Sequence, residues 1–257
     1  MKKITAVLTG LLALVSVLTA QNLTGYDIMK KADERPQPAT AEFTIEMSLI
    51  NPKGKVRVRT ISVHKKEYDS GTKQVMIFSK PADVKGVGYL SISHKDGSED
   101  DRWLYMPALK KVRRISGSSS GDSFMGSDFS YDDMGGHQLD DYDYTLLGTE
   151  TLEGRSVWKI EIIPHTKKQY SKSIAWVDQE TLLYLKSEFY DKQEQQIKLL
   201  TAEDIQKESG FWVAKKMTME NVQTKHKTVI KTLQAKYNMN ISDSIFRASA
   251  LESGTLR

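Results

Sequence analysis

A period of two, returning along most of the chain, restricts what this sequence can fold into. In residues 41–50, AEFTIEMSLI, the apolar side chains Phe43, Ile45, Met47 and Leu49 alternate with Glu42, Thr44, Glu46 and Ser48. Successive side chains of a strand point to opposite faces, so this pattern buries one face and wets the other. Asn51-Pro52-Lys53-Gly54 supplies a turn, and KVRVRTISVH follows, so residues 41–64 read as a hairpin. Further strands are expected at 73–79, 87–94, 101–107, 110–115, 144–152, 156–164, 172–178, 182–191, 196–205, 211–222 and 226–238. Most connections are short and polar, and no crossover helices stand between strands, so the pairing is antiparallel. The expected fold is mainly β: a single curved antiparallel sheet forming an unclosed barrel, with an N-terminal helix as lid.

That helix is placed at LTGYDIMKKADER, where Thr24 can cap and Tyr26, Ile28, Met29 and Ala32 share a face before Pro36 and Pro38 end it. Ahead of it, Lys2 and Lys3 precede an uncharged, mostly apolar run from Ile4 to Leu18. This run falls short of the roughly 20 residues of a membrane span and has the layout of a secretory signal peptide, with cleavage expected after Ala20. The domain expected after cleavage is 21–257. With no cysteine anywhere there is no lipobox, and no disulfide supports the fold, so a packed core must. The formal net charge of +4 owes two units to Lys2 and Lys3. The remaining balance lacks the strong basic bias of a nucleic-acid binder.

The long irregular stretch of the chain is 116–143. From Gly117 to Tyr144 it holds seven aspartates, five glycines and one histidine. Asp122, Asp128, Asp132 and Asp133 do not fit a calcium loop, and His137 with Asp140 and Asp141 makes at best a weak divalent site. Five scattered histidines without cysteine give no zinc cluster. Ser118, Ser119, Ser120 and Ser123 lie in no nucleophile elbow, and adjacent acids such as Asp132 and Asp133 make a poor glycosidase pair. No catalytic residue, metal or cofactor is assigned. The segment reads instead as a structural or gating element whose aspartates balance Lys110, Lys111, Arg113 and Arg114 just before it. A lipid-headgroup or partner contact is the other reading of that basic run.

The apolar residues point further. Trp103, Tyr105, Trp158, Trp176, Met47, Met217 and Met219 fall in strands and are candidates to line an apolar cavity. A dozen strands present more apolar face than one helix covers. Such a sheet must fold over itself, pair with a partner or hold a ligand.

The run RWLYMPALKKVRRI, residues 102–115, followed by DSFMGSDFSYDD, residues 122–133, resembles the signature of the outer membrane lipoprotein-sorting protein family. The resemblance covers essentially the whole chain after the leader. It implies an exported protein similar to the periplasmic lipoprotein carrier of Gram-negative bacteria, non-enzymatic, with an incompletely closed barrel and a helical lid over an apolar cavity. It further implies a lipid or lipidated protein as cargo. Some members are linked to inner-membrane transporters of the resistance-nodulation-division (RND) type, so such a transporter and an outer-membrane acceptor are candidate partners. A non-carrying subunit docked on the transporter is the alternative. On the motif, Lys110, Lys111, Arg113, Arg114, Phe124, Asp128, Phe129, Tyr131 and Asp132 are the candidates for a gate or docking surface.

Overall fold

The computed structural model describes residues 23–136, 138–166 and 168–253. The leader expected at 1–20 and His137 lie outside them. Among the described residues thirteen strands form one antiparallel sheet. In chain order they are β1 (Thr40–Ile50), β2 (Val56–Tyr68), β3 (Gly71–Lys80), β4 (Gly88–His94), β5 (Asp101–Met106), β6 (Lys111–Arg114), β7 (Tyr142–Leu152), β8 (Arg155–Pro164), β9 (Lys172–Asp178), β10 (Tyr184–Tyr190), β11 (Gln196–Glu208), β12 (Phe211–Asn221) and β13 (Lys227–Tyr237). The spatial order is β6-β5-β4-β3-β2-β1-β13-β12-β11-β10-β9-β8-β7. The sheet does not close on itself, because β6 and β7 stand at opposite edges.

This order has a consequence for the chain between the edge strands. Thirteen strands give twelve spacings of about 4.8 Å, or ~58 Å measured along the sheet. The 27 residues between Arg114 and Tyr142 bridge the two edges, for which the length along the sheet is an upper bound, and extended they reach about 90 Å. The link therefore crosses a face of the sheet with slack to spare. It takes up the slack in short 3-10 turns at Gly117–Ser119, Phe124–Gly126 and Leu139–Asp141.

Helix α1 (Gly25–Asp33) begins with a reciprocal cap: Thr24 Oγ1 accepts from Asp27 N at 3.1 Å, and Thr24 N donates back to Asp27 Oδ2 at 3.0 Å. Its buried face, Ile28, Met29 and Ala32, packs on Ile160 and Ile162 of β8 and Ala175 and Val177 of β9. The helix thus covers one end of the sheet. The rest of the same face is covered by the link, residues 116–136, called the strap below. A second helix, α2 (Ala248–Ser253), lies on the opposite face, where Leu251 packs with Val75, Leu90 and Phe246.

Register decides which side chains share a face. Met47 pairs with Ile230, which pairs with Met217; Tyr89 pairs with Met76 and Leu104; Ala175 pairs with Ser187. These define the covered face. Trp103 pairs with Leu90, and Trp176 with Lys159 and Lys186, on the other side.

Candidate functional site

The main core of the protein is the seam between the strap and the sheet. From the sheet come Ile45, Met47 and Leu49 of β1, Ile61 and Val63 of β2, Met76 and Phe78 of β3, Tyr89 of β4 and Met219 of β12. From the strap come Phe124, fully buried, with Phe129 and Tyr131, each 5% exposed. Phe124 meets the Tyr89 ring edge-on at 5.1 Å and the Tyr131 ring at 5.6 Å. Aromatic rings of a connecting segment thus occupy the apolar face that the strands build.

Polar latches tie the strap down along its length. Arg59 of β2 donates to the Met125 carbonyl at 2.5 Å and its guanidinium lies 5.8 Å from the Phe78 ring centre. Asp128 Oδ2 accepts from Thr228 Oγ1 and from His226 Nδ1, each at 2.7 Å, and Asp128 N donates to the same threonine at 2.9 Å. Asp132 accepts from Arg102 of β5 at 3.1 Å. Asp133 accepts from Tyr170 Oη at 3.0 Å and from Lys198 Nζ of β11 at 3.3 Å. Asp100 also binds Arg102 and accepts the Gly136 N–H. Burial raises the Asp100 carboxyl above its ordinary value, although Gly136 N–H and Arg102 act against it. Burial likewise raises the Tyr170 and Tyr89 phenols above their ordinary value. At Gly136 the strap runs so close to β4 that an added Cβ would lie 2.5 Å from Ser93 Cβ.

The residues expected at one apolar cavity do not all share a face. Met47 and Met219 are buried under the strap, and Met217 is half-buried on the same side. Trp158 also faces that side, against the α1 cluster. Trp103 and Tyr105 instead join Val75, Leu90 and Leu251 on the opposite face, because they alternate with Leu104. Trp176 is also opposite: Lys159 and Lys186 sit 5.0 and 4.1 Å from its ring centre, and its Nε1 donates to Glu150 at 2.8 Å.

A second expectation is corrected too. The aspartates of the strap do not balance the basic run before it. Asp128, Asp132 and Asp133 find His226, Arg102 and Lys198. Arg114 pairs with Asp101, and among the described residues Lys110, just before the edge strand, and Lys111 and Arg113 on it stand exposed without an ion pair. The functional neighbours missed by sequence reasoning, Thr228, His226, Tyr170 and Lys198, lie 37 to 100 residues from their aspartates. No local pattern could have joined them.

Cavities in this region are modest. One of about 360 Å³ opens between the strap and the β11–β13 end, lined by Ser123, Asp128, Gln169, Lys198, Asn221 and His226 among others. A second, about 180 Å³, lies across His226 against Leu49, Lys55 and Arg57. Among the described residues no group of three or more His, Cys, Asp or Glu could hold a metal ion, and no helix is long and apolar enough to cross a membrane.

Comparison with known proteins places this architecture. A family model, described only as an uncharacterized protein, matches residues 70–253. No curated protein matches the chain. A DUF1329 family protein from Desulfovibrio piger is 34% identical, with 88% of this chain and 97% of that chain covered, at a TM-score of 0.84. A structure named for an outer membrane lipoprotein-sorting protein domain, from Vibrio parahaemolyticus, is 32% identical over 89% of this chain and 98% of its own, at 0.85. A LolA superfamily protein from Nitrosomonas europaea shares the fold at 20% identity, covering 88% and 98%, with a TM-score of 0.69. Identity above 30% across nearly the full length of the first two of these structures establishes that the chain belongs to the family they represent, DUF1329 or outer membrane lipoprotein-sorting proteins.

Proposed function

We propose that this protein is a periplasmic carrier that binds the acyl part of a lipid or lipidated protein on the strap-covered face and passes it between membranes. The observation that carries the reading is the occupant of that face. Phe124, Phe129 and Tyr131 pack on the apolar side chains of β1 to β4 and β12, and they belong to a connecting segment held by discrete polar latches. The strap is then a closed lid, and cargo replaces its rings.

Magnitudes support the exchange. Exposing three buried aromatic side chains costs about 1.5–3 kcal/mol each, or ~5–9 kcal/mol. At about 0.8 kcal/mol per buried methylene, six to eleven methylenes offset that loss. An acyl chain of about 16 carbons exceeds it, with a surplus that also covers part of the latches. These two cavities lie at the His226 end of the covered face, so binding of a whole chain along that face requires the strap to move. On this reading Asp128 and Asp132 serve as latches, and the protein acts by reversible burial.

Titration with N-phenyl-1-naphthylamine, a neutral apolar fluorophore, tests the reading. Saturable binding that palmitate displaces is expected, together with acyl lipids in native mass spectra of detergent-free protein. Absence of both would contradict it.

A second reading, docking on an RND-type inner-membrane transporter without carrying cargo, is favoured by one feature. Lys110, Lys111 and Arg113 are exposed and unpaired among the described residues, beside Leu109 at 58% exposure. Co-purification with such a transporter, lost on charge reversal of these residues while fluorophore binding is absent, would select it.

A further inference from the structure

The latch at Asp128 differs from the others in what surrounds it. The carboxylate is 7% exposed on the side-chain scale and accepts from two donors at 2.7 Å, His226 Nδ1 and the fully buried Thr228 Oγ1. It sits on the wall of the 360 Å³ cavity, with Lys198, more than nine-tenths buried, on another wall. Across His226 the second cavity adds Lys55 and Arg57, both exposed. Two acids near this place are engaged, Asp128 on His226 and Thr228 and Asp133 on Lys198 and Tyr170, while Asp122, between the lining residues Gly121 and Ser123, is exposed to solvent. Gln169 Oε1 is buried and has no hydrogen-bond partner, and Asn221 closes the lining. Remove Asp128 and this end of the covered face presents a donor pair, His226 and Thr228, among cations, with an acceptor for a hydroxyl.

The strap therefore has the build of an amphiphile: rings on the apolar face, and an anion one residue before Phe129 in a polar end-site. We infer that the strap mimics the ligand, and that the cargo is an anionic amphiphile whose phosphate or carboxylate head replaces Asp128 on His226 and Thr228 while its chain replaces Phe124 and Phe129. This rests on the carrier reading and adds to it the charge of the head and its seat. The cavity beside Asp128 gives the remainder of the head a place. Its volume of about 360 Å³ lies at the lower end of ligand pockets. Head binding and strap release are then one event, because the same donors cannot hold both anions.

The test is calorimetric titration of the full exported chain at pH 7, below micelle concentrations, with dodecyl phosphate, dodecyl maltoside and inorganic phosphate. Dodecyl phosphate is expected to bind at least about tenfold more tightly than dodecyl maltoside, since charge-assisted hydrogen bonds are roughly twice as strong as neutral ones. Inorganic phosphate in hundredfold excess is expected not to displace it. His226→Asn should shrink the ratio of the two affinities below about threefold. Asp128→Asn, which keeps the shape of the latch and removes the competing charge, should tighten dodecyl phosphate by about threefold or more. Equal affinities for both detergents, unaltered by His226→Asn, overturn the inference and leave the carrier reading standing. Binding of neither detergent overturns both. Tight binding of inorganic phosphate alone overturns the amphiphile and assigns the site to a free anion.

Discussion

Single residues here separate what holds the sheet from what holds the strap. Asp178 belongs to the first kind. Its Oδ1 accepts from Thr181 N at 2.7 Å and Glu180 N at 3.0 Å, closing the β9–β10 turn, and its Oδ2 accepts from Arg155 at 3.1 Å. Burial alone would raise this carboxyl, but the N–H groups of Thr181 and Glu180 and the Arg155 guanidinium outweigh it and the group is lowered. A depressed folded value gives stability that is present above the unfolded value of about 3.9 and is lost as pH falls through the folded one. Asp178→Asn should therefore cost about 1.5–3 kcal/mol in urea unfolding at pH 7, and the gap to wild type should close below pH ~4. Phe124 belongs to the second kind. Phe124→Ala should lower stability by about 3–5 kcal/mol and at the same time tighten N-phenyl-1-naphthylamine binding. Looser binding in that variant would mean that Phe124 builds the site instead of filling it. The contrast between residues also shows where sequence runs out. Phe124, Phe129 and Tyr131 stand out in a polar segment as soon as the 122–133 motif is read. The latch partners Lys198, Thr228 and His226 do not, because each sits in an ordinary strand or turn far along the chain.

At the scale of elements, alternation made the strands legible. Each expected strand is present with boundaries shifted by a few residues, and the Thr24 cap starts the helix as read. Which face a side chain takes was legible only locally. Trp103 and Met47 both look like lining residues, yet register through the intervening strands puts them on opposite sides. The strap was read as an irregular link because its turns have no period. Its fixed shape comes from contacts with β2, β5, β11 and β13. Hydrogen exchange distinguishes a lid from a core segment. Amides of 120–134 should exchange faster than those of β1 and β13 in the free protein, and faster still with dodecyl phosphate bound. Protection equal to that of β1, unchanged by ligand, would contradict a lid. Gly136→Ala should raise exchange along the strap by crowding Ser93, with β1 unaffected.

For the whole molecule, the strand order explains why a lid exists at all. With β6 and β7 at opposite edges, the connection between them has to lie across a face. The fold thus places a mobile-capable link over its own apolar surface, and α1 covers only the β8–β9 end. The absence of cysteine makes movement measurable, since introduced cysteines are labelled uniquely. Spin labels at Asp122→Cys on the strap and Gln223→Cys on the β12–β13 turn, both exposed, report the separation of the two by pulsed electron resonance. One narrow, short distance is expected in the free protein. Saturating dodecyl phosphate should shift the distribution outward by roughly 10 Å, about the spacing of packed layers. Bound ligand with an unshifted distribution would contradict the central claim that cargo takes the strap's place.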